Sequence, residues 1–330
     1  MGKIDDAALA FFSESDRFAE VMNVRLFGGR KFIKAEELSD ADSVFVGART
    51  GRNKTRGRVI VDKAKIWNGT CLRLLIQEYQ AYIDYRMVFR CIYTESLAYH
   101  AQFKRKKHEH LKNGDLKETD EFLTGISKTD KFMPVIIVVV NLSSRKWDGE
   151  KTLYGMLENS CDELVRPFVS DYRMNILDYH DYKNLDAFTT DVKKIFEILE
   201  RMDDRQKIKE LLEKDNSYSA LEDDTADLIE AISSMKIGRG EGGKRDMCKA
   251  WIDQRADGKA EGRAEGRAEG RAEGKAEGKA EDILTVLEDV GTIATDLREK
   301  IMSETNLATL TRWLKLAAKS DSIETFTQSM

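Results

Sequence analysis

Paired cysteines are missing from this chain. Cys71, Cys91, Cys161 and Cys248 stand far apart with no Cys-x-x-Cys spacing, which argues against a thiolate zinc site and a disulfide framework alike. Histidine is equally sparse. His100, His108, His110 and His180 show no metal or triad spacing, so surface or packing roles are expected of them. No apolar stretch reaches membrane-spanning length, and the acidic start Met1-Gly-Lys-Ile-Asp-Asp6 lacks the basic and apolar regions of a signal peptide; a reducing cytoplasm is the default expectation. A Walker-type phosphate loop is absent as well. There is no overall excess of positive charge: the formal net charge of −5 speaks against a basic nucleic-acid binder, although a local patch suffices for phosphate contact.

What the chain does have is a hairpin with a carboxylate at its end. Arg58-Val-Ile-Val-Asp-Lys-Ala-Lys-Ile66 and Cys71-Leu-Arg-Leu-Leu-Ile-Gln-Glu78 are strand-like runs flanking Trp67-Asn68-Gly69-Thr70. Asn-Gly favours a two-residue type I′ turn, because both central residues need positive φ. On that count Trp67 pairs with Thr70, and Val59 lies opposite Glu78. Strand alternation puts Glu78 on the face of Leu72, Leu74 and Ile76, with Gln80 following. A carboxylate at the end of an apolar stripe is costly unless solvated, paired or metal-bound. Phosphodiester hydrolysis suits such a group, since a hard divalent cation held by carboxylates activates water and stabilises phosphate charge. A second acid is required. Asp62 is the only one on the facing strand, and the expected parity turns it away, so a bulge or register shift would be needed to bring it in. Upstream, Arg49, Arg52, Lys54, Arg56 and Arg58 form an acid-free basic stretch suited to gripping phosphates.

At these residues the chain resembles the bacterial recombination-promoting nuclease (Rpn) and transposase family of the PD-(D/E)XK nuclease superfamily. The matching text includes Asp16-Arg-Phe-Ala-Glu-Val-Met-Asn23, Leu26-Phe-Gly-Gly29, Lys54-Thr-Arg-Gly-Arg58, Glu78-x-Gln80, Ile83-Asp-Tyr-Arg-Met87 and Glu121-Phe-Leu-Thr-Gly-Ile126. Pro134 to Val140, Trp147-Asp-Gly149, Asp171-Tyr-Arg-Met-Asn175 and Asp246-Met-Cys-Lys249 follow in the family's order. The resemblance implies a cytoplasmic bacterial endonuclease that cuts double-stranded DNA with Mg²⁺ or Mn²⁺. Glu78 then matches the metal-binding acid, Gln80 the polar group that positions water or metal, and Arg58 the family arginine. Val59 occupies the aspartate position, so Asp62 or Glu20 is required as substitute ligand; Glu20 enters because the superfamily often carries an acid on its first helix. The alternative is a degenerate, non-catalytic member that keeps the fold. Met87-Val88 in place of the family's Met-Pro, and a total of two prolines, are further departures.

The expected fold is α/β: a restriction-endonuclease-like core with a mixed central sheet flanked by helices, then a helical carboxy-terminal extension. Residues 1–183 form the core, 184–257 a helical extension packed on it, 258–281 a repeat spacer and 282–330 a small helical module. Within the core, residues 15–25 read as a helix, and 85–108 as a long helix packing Phe89, Ile92, Tyr93 and Leu97 on the sheet. Val135 to Val140 reads as a strand buried on both faces, and 173–178 as a further strand. The spacer is six copies of Gly-(Lys/Arg)-Ala-Glu, with no apolar side chain larger than alanine and therefore no core of its own. If helical, it could pair two chains along its alanine row. The final segment reads as two amphipathic helices, a route to homo-oligomers.

Overall fold

The computed structural model describes residues 3–50, 55–69, 71–158, 165–182, 185–240 and 242–330. In chain order the elements begin with α1 (Lys3–Ser13), α2 (Ser15–Phe27), β1 (Leu38–Asp40), β2 (Val44–Thr50), β3 (Thr55–Ile60), β4 (Lys63–Asn68), β5 (Leu72–Gln80) and α3 (Met87–Asn113). Next come α4 (Thr119–Thr124), β6 (Val135–Asn141), α5 (Leu153–Met156), β7 (Asn175–Asp178), α6 (Val192–Arg201), α7 (Arg205–Lys214) and α8 (Asp223–Ser233). The chain closes with α9 (Met247–Glu288), α10 (Thr295–Met302), α11 (Leu307–Ala317) and α12 (Ile323–Ser329). Two compact units divide it, Met1–Ala250 and Trp251–Met330.

The first unit is α/β around a mixed five-stranded sheet in the order β1-β4-β5-β6-β7. β1, β4 and β5 are antiparallel neighbours; β5, β6 and β7 run parallel. β5 is therefore the strand where the two pairing modes meet, and it is flanked on both sides. Its alternate residues serve different layers. Leu74 and Ile76 join Ala64, Met87, Val88, Cys91, Leu97 and Val139 in one core cluster under α3. On the other face Gln77 donates to the Phe18 carbonyl of α2 (2.9 Å) and Tyr79 stacks on Phe12 of α1 (4.8 Å between centroids). β6, with Val138, Val139 and Val140 fully buried, is the doubly covered strand its composition predicts.

Two expectations about local structure change. The run from Arg58 to Ile66 is not one strand: it breaks at Val61 and Asp62, so that β3 pairs with β2 in a separate two-stranded sheet and β4 pairs with β5. The sheet-facing side of α3 is also rotated from the expected one. Met87, Val88, Cys91, Thr94, Leu97, Ala98 and Gln102 are buried, while Phe89 and Tyr93 are about half exposed. Small and polar residues fill this interface; the Gln102 amide, for example, bonds both the N–H and the carbonyl of Met133.

In the second unit the Gly-(Lys/Arg)-Ala-Glu array belongs to the continuous helix α9. Its last turns contribute to a core after all: Ala276 and Ala280, one helical turn apart, are buried with Ile283, Leu287, Leu310, Trp313 and Phe326. Of the two helices expected in 282–330, the first is the end of α9 and the second is α11; α10 and α12 are additional. Among the described residues no helix is long and apolar enough to cross a membrane.

Candidate active site

The turn between β4 and β5 decides which acids meet. Asn68 pairs with Leu72 and Trp67 with Arg73, so the loop comprises residues 69–71, of which Thr70 lies outside the described residues. Gly69 is absent from the positive-φ glycines. It is needed for another reason. The Trp67 indole folds back over it, so that an added Cβ would sit 2.8 Å from the ring. Two tertiary contacts hold the indole there: its Nε1–H donates to Glu37 (2.9 Å), and the Arg73 guanidinium lies 4.4 Å over the ring. Compared with a two-residue turn, the register slips by three, and an odd slip exchanges the faces of the strand.

The slip brings Asp62 in. Lys63 pairs with Gln77, so Asp62, in the bend just before β4, comes to the end of β5, close enough for its charge to act on Glu78. Val59 is elsewhere: it pairs with Phe45 in the other sheet and packs half-buried against the core. The Asp62 carboxylate accepts the Tyr79 N–H at 2.7 Å, which fixes it beside the end of β5. Glu78 and Gln80 are 4% and 5% exposed. Burial, and then the charge of Asp62, push the Glu78 carboxyl up to about 8, against the opposing pull of Arg90. Asp62 is raised as well, chiefly by burial.

Two further residues belong to this cluster and escaped the sequence reading. Arg90, from the first turn of α3, donates to Glu78 Oε2, Gln80 Oε1 and Asp84 Oδ2, each at 3.2 Å. Asp84, 4% exposed, also accepts from the Arg86 backbone N–H and side chain. Burial disfavours its charge, yet the bonds from Arg86 and Arg90 hold its carboxyl below the ordinary range. The available signal was spacing: an Asp and two Arg within twelve residues of Glu78, at the start of a helix abutting the strand end.

Glu20 does not join them. α2 lies against the face of β5 that carries Gln77 and Tyr79, and alternation turns Glu78 to the other side. The Glu20 carboxylate instead accepts both N–H groups and both hydroxyls of Thr189 and Thr190, at 2.5–3.3 Å, ahead of α6. It lines a cavity of about 600 Å³ with Asn23, Gly29 and Asp186. Of the basic stretch, Arg49, Arg56 and Arg58 lie on β2 and β3, with Arg49 paired to Arg56 and Arg58 to Val46; Arg52 and Lys54 lie outside the described residues.

The donors gathered at the end of β5 are hard oxygens: two carboxylates and an amide carbonyl. Oxygen donors of this kind are the type Mg²⁺ takes, one or two protein carboxylates with water and phosphate oxygens completing its shell. No cluster of three or more His, Cys, Asp or Glu with metal-holding geometry occurs among the described residues. No family model matches this chain, and neither curated proteins nor solved structures show a significant match to it.

Proposed function

We propose that this chain is a metal-dependent DNA endonuclease of the nuclease-like class its sequence resembles, with Asp62, Glu78 and Gln80 as its working residues. One observation carries the reading: the three-residue register slip, after which the Asp62 carboxylate accepts the Tyr79 N–H and its charge acts on Glu78. In this reading Glu78 and Asp62 hold Mg²⁺ or Mn²⁺, which would supply Lewis acidity to the phosphate and acidity to a bound water. Gln80, one strand pair further along the same face, orients the attacking water through its amide. Arg90 serves as counter-charge to Glu78 and Asp84, keeping both carboxylates aimed while their environment remains largely dry. The strands β2 and β3, which bring Arg49, Arg56 and Arg58, would grip the DNA backbone.

A second reading has its own support. Arg90 already pairs with Glu78 and Asp84, and no group of three acids that could hold a metal ion occurs among the described residues, which suits a degenerate member that binds DNA without cutting it. Nicking of supercoiled plasmid with Mg²⁺ or Mn²⁺ separates the two. The nuclease reading expects cutting by the wild type that Glu78→Ala and Asp62→Asn each abolish. A wild type that retards DNA yet leaves it intact under both metals would decide for the degenerate form.

A further inference from the structure

Along residues 78–93 the chain alternates between two layers. Glu78, Gln80 and Asp84 turn inward, whereas Tyr82 is 62% exposed, Phe89 49% and Tyr93 47%. Phe89 and Tyr93 are four apart on α3, and so are Arg86 and Arg90, so rings and guanidinium groups share the outward side of the helix. The two arginine side chains are 77% and 41% exposed. Among the described residues, no other aromatic ring stacks on Tyr82, Phe89 or Tyr93. Tyr85 differs, since its hydroxyl bonds Asp148 and its ring lies against Gly149. Arg86 uses Nε and Nη2 on Asp84 and its side chain is otherwise largely exposed. Exposed rings and cations thus alternate along the segment that leads from the acids at the end of β5 into α3.

We propose that this strip binds an unpaired nucleic-acid strand, so that the substrate of the site is single-stranded DNA or an unpaired stretch within a duplex. The inference rests on the nuclease reading above and narrows its substrate. In a duplex the faces of the bases are already stacked on one another, and a protein meets only their edges and the phosphates. Three exposed rings find nothing there to stack on. A single strand offers a base face to each ring and a phosphate to the exposed Arg86, and every base has such a face, so the contact is tolerant of sequence. Tyr82, between Gln80 and Asp84, would seat the base nearest the acids, while Phe89 and Tyr93 carry the strand away along α3. On this proposal the double-stranded partner expected from family resemblance would have to open at the site.

The test is fluorescence anisotropy of the full chain in EDTA, so that cleavage does not intervene. The probes are a labelled oligonucleotide of about 20 nucleotides, longer than common single-strand site sizes, and its blunt duplex. Tighter binding of the single strand is expected, with about tenfold weakening in each of Tyr82→Leu, Phe89→Leu and Tyr93→Leu and no change for the duplex. Leucine keeps apolar surface and removes the ring face, and these exposed positions leave the fold intact, as a thermal melt checks. Equal or tighter binding of the duplex, or leucine variants that bind as wild type does, would overturn the proposal. So would a wild-type dimer that the triple leucine variant dissociates in sedimentation, because the strip would then be a contact between copies. A protein that prefers single strands through these rings but cuts neither plasmid nor bubble substrate would retain the strip and lose the nuclease reading.

Discussion

Replacing Glu20 by alanine should destabilise the first unit and leave metal affinity alone. The carboxylate accepts the two backbone N–H groups and the two hydroxyls of Thr189 and Thr190, and its residue is 9% exposed. Thr189 is exposed and Thr190 half-buried, so water can take over part of the bonding once the carboxylate is gone, and each lost bond is worth about 0.5–1.5 kcal/mol. The hydroxyls cost least, since they can rotate toward the adjoining cavity. Allowing for non-additivity among bonds to one group, Glu20→Ala should lose about 1–3 kcal/mol. In a unit of this size that lowers the melting temperature by roughly 3–10 °C. Glu20→Gln should lose less, about 0.5–1 kcal/mol, because one oxygen still accepts while the new amide N–H₂ faces a donor. Urea titration followed by tryptophan fluorescence gives the midpoints, and calorimetric titration with Mn²⁺ on the folded variants gives affinity. An unchanged midpoint together with lost Mn²⁺ affinity would refute the reasoning and return Glu20 to the metal.

Three further outcomes are expected. Val59→Asp places a carboxylate against the core under β3, far in register from Glu78, and should cost about 2–3 kcal/mol without conferring DNA cutting; a silent wild type made active by this change would show that the two-residue turn is the true one. His110 bonds Asp115 (2.7 Å) and Asp130 (2.8 Å), which raise its pKa above 6.5, Asp115 contributing most. Its stabilising contribution is thus complete below the unfolded pKa and is lost as pH rises through the folded one, so the urea midpoints of wild type and His110→Gln should converge from about pH 6 upward; a difference that grows with pH would contradict the pairing. In α9, a Cβ added at Gly266, Gly270, Gly274 or Gly278 meets nothing within 4 Å, so alanine at each should stabilise the helix by about 0.5–1 kcal/mol; circular dichroism of the fourfold variant should show a higher melting temperature, and no rise would mean that the array is not helical in solution.

Periodicity located the elements whose burial is carried by large apolar side chains. The valines of β6 stood out because hydropathy and burial agree there, as they also do along Val192, Ile195, Phe196 and Leu199 of α6. On α3 they disagree. Its buried face includes Cys91, Thr94, Ala98 and Gln102, which a hydropathy count passes over, so Phe89 and Tyr93 looked like core and are in fact surface. The alanines of the array were illegible for a related reason: alanine is buried or exposed according to what packs on it, and Leu310, Trp313 and Phe326 lie thirty or more residues further along. The site itself depended on a contact that no local rule contains. Asn68-Gly69 is a strong hairpin signal, and it did mark the turn; the turn's length, however, follows from the Trp67 indole folding over Gly69 to reach Glu37, some thirty residues away. Because strand faces alternate with period two, a slip of three residues changes which side chains of β4 accompany those of β5, and it is this slip that brings Asp62 near Glu78 and leaves Val59 in the other sheet.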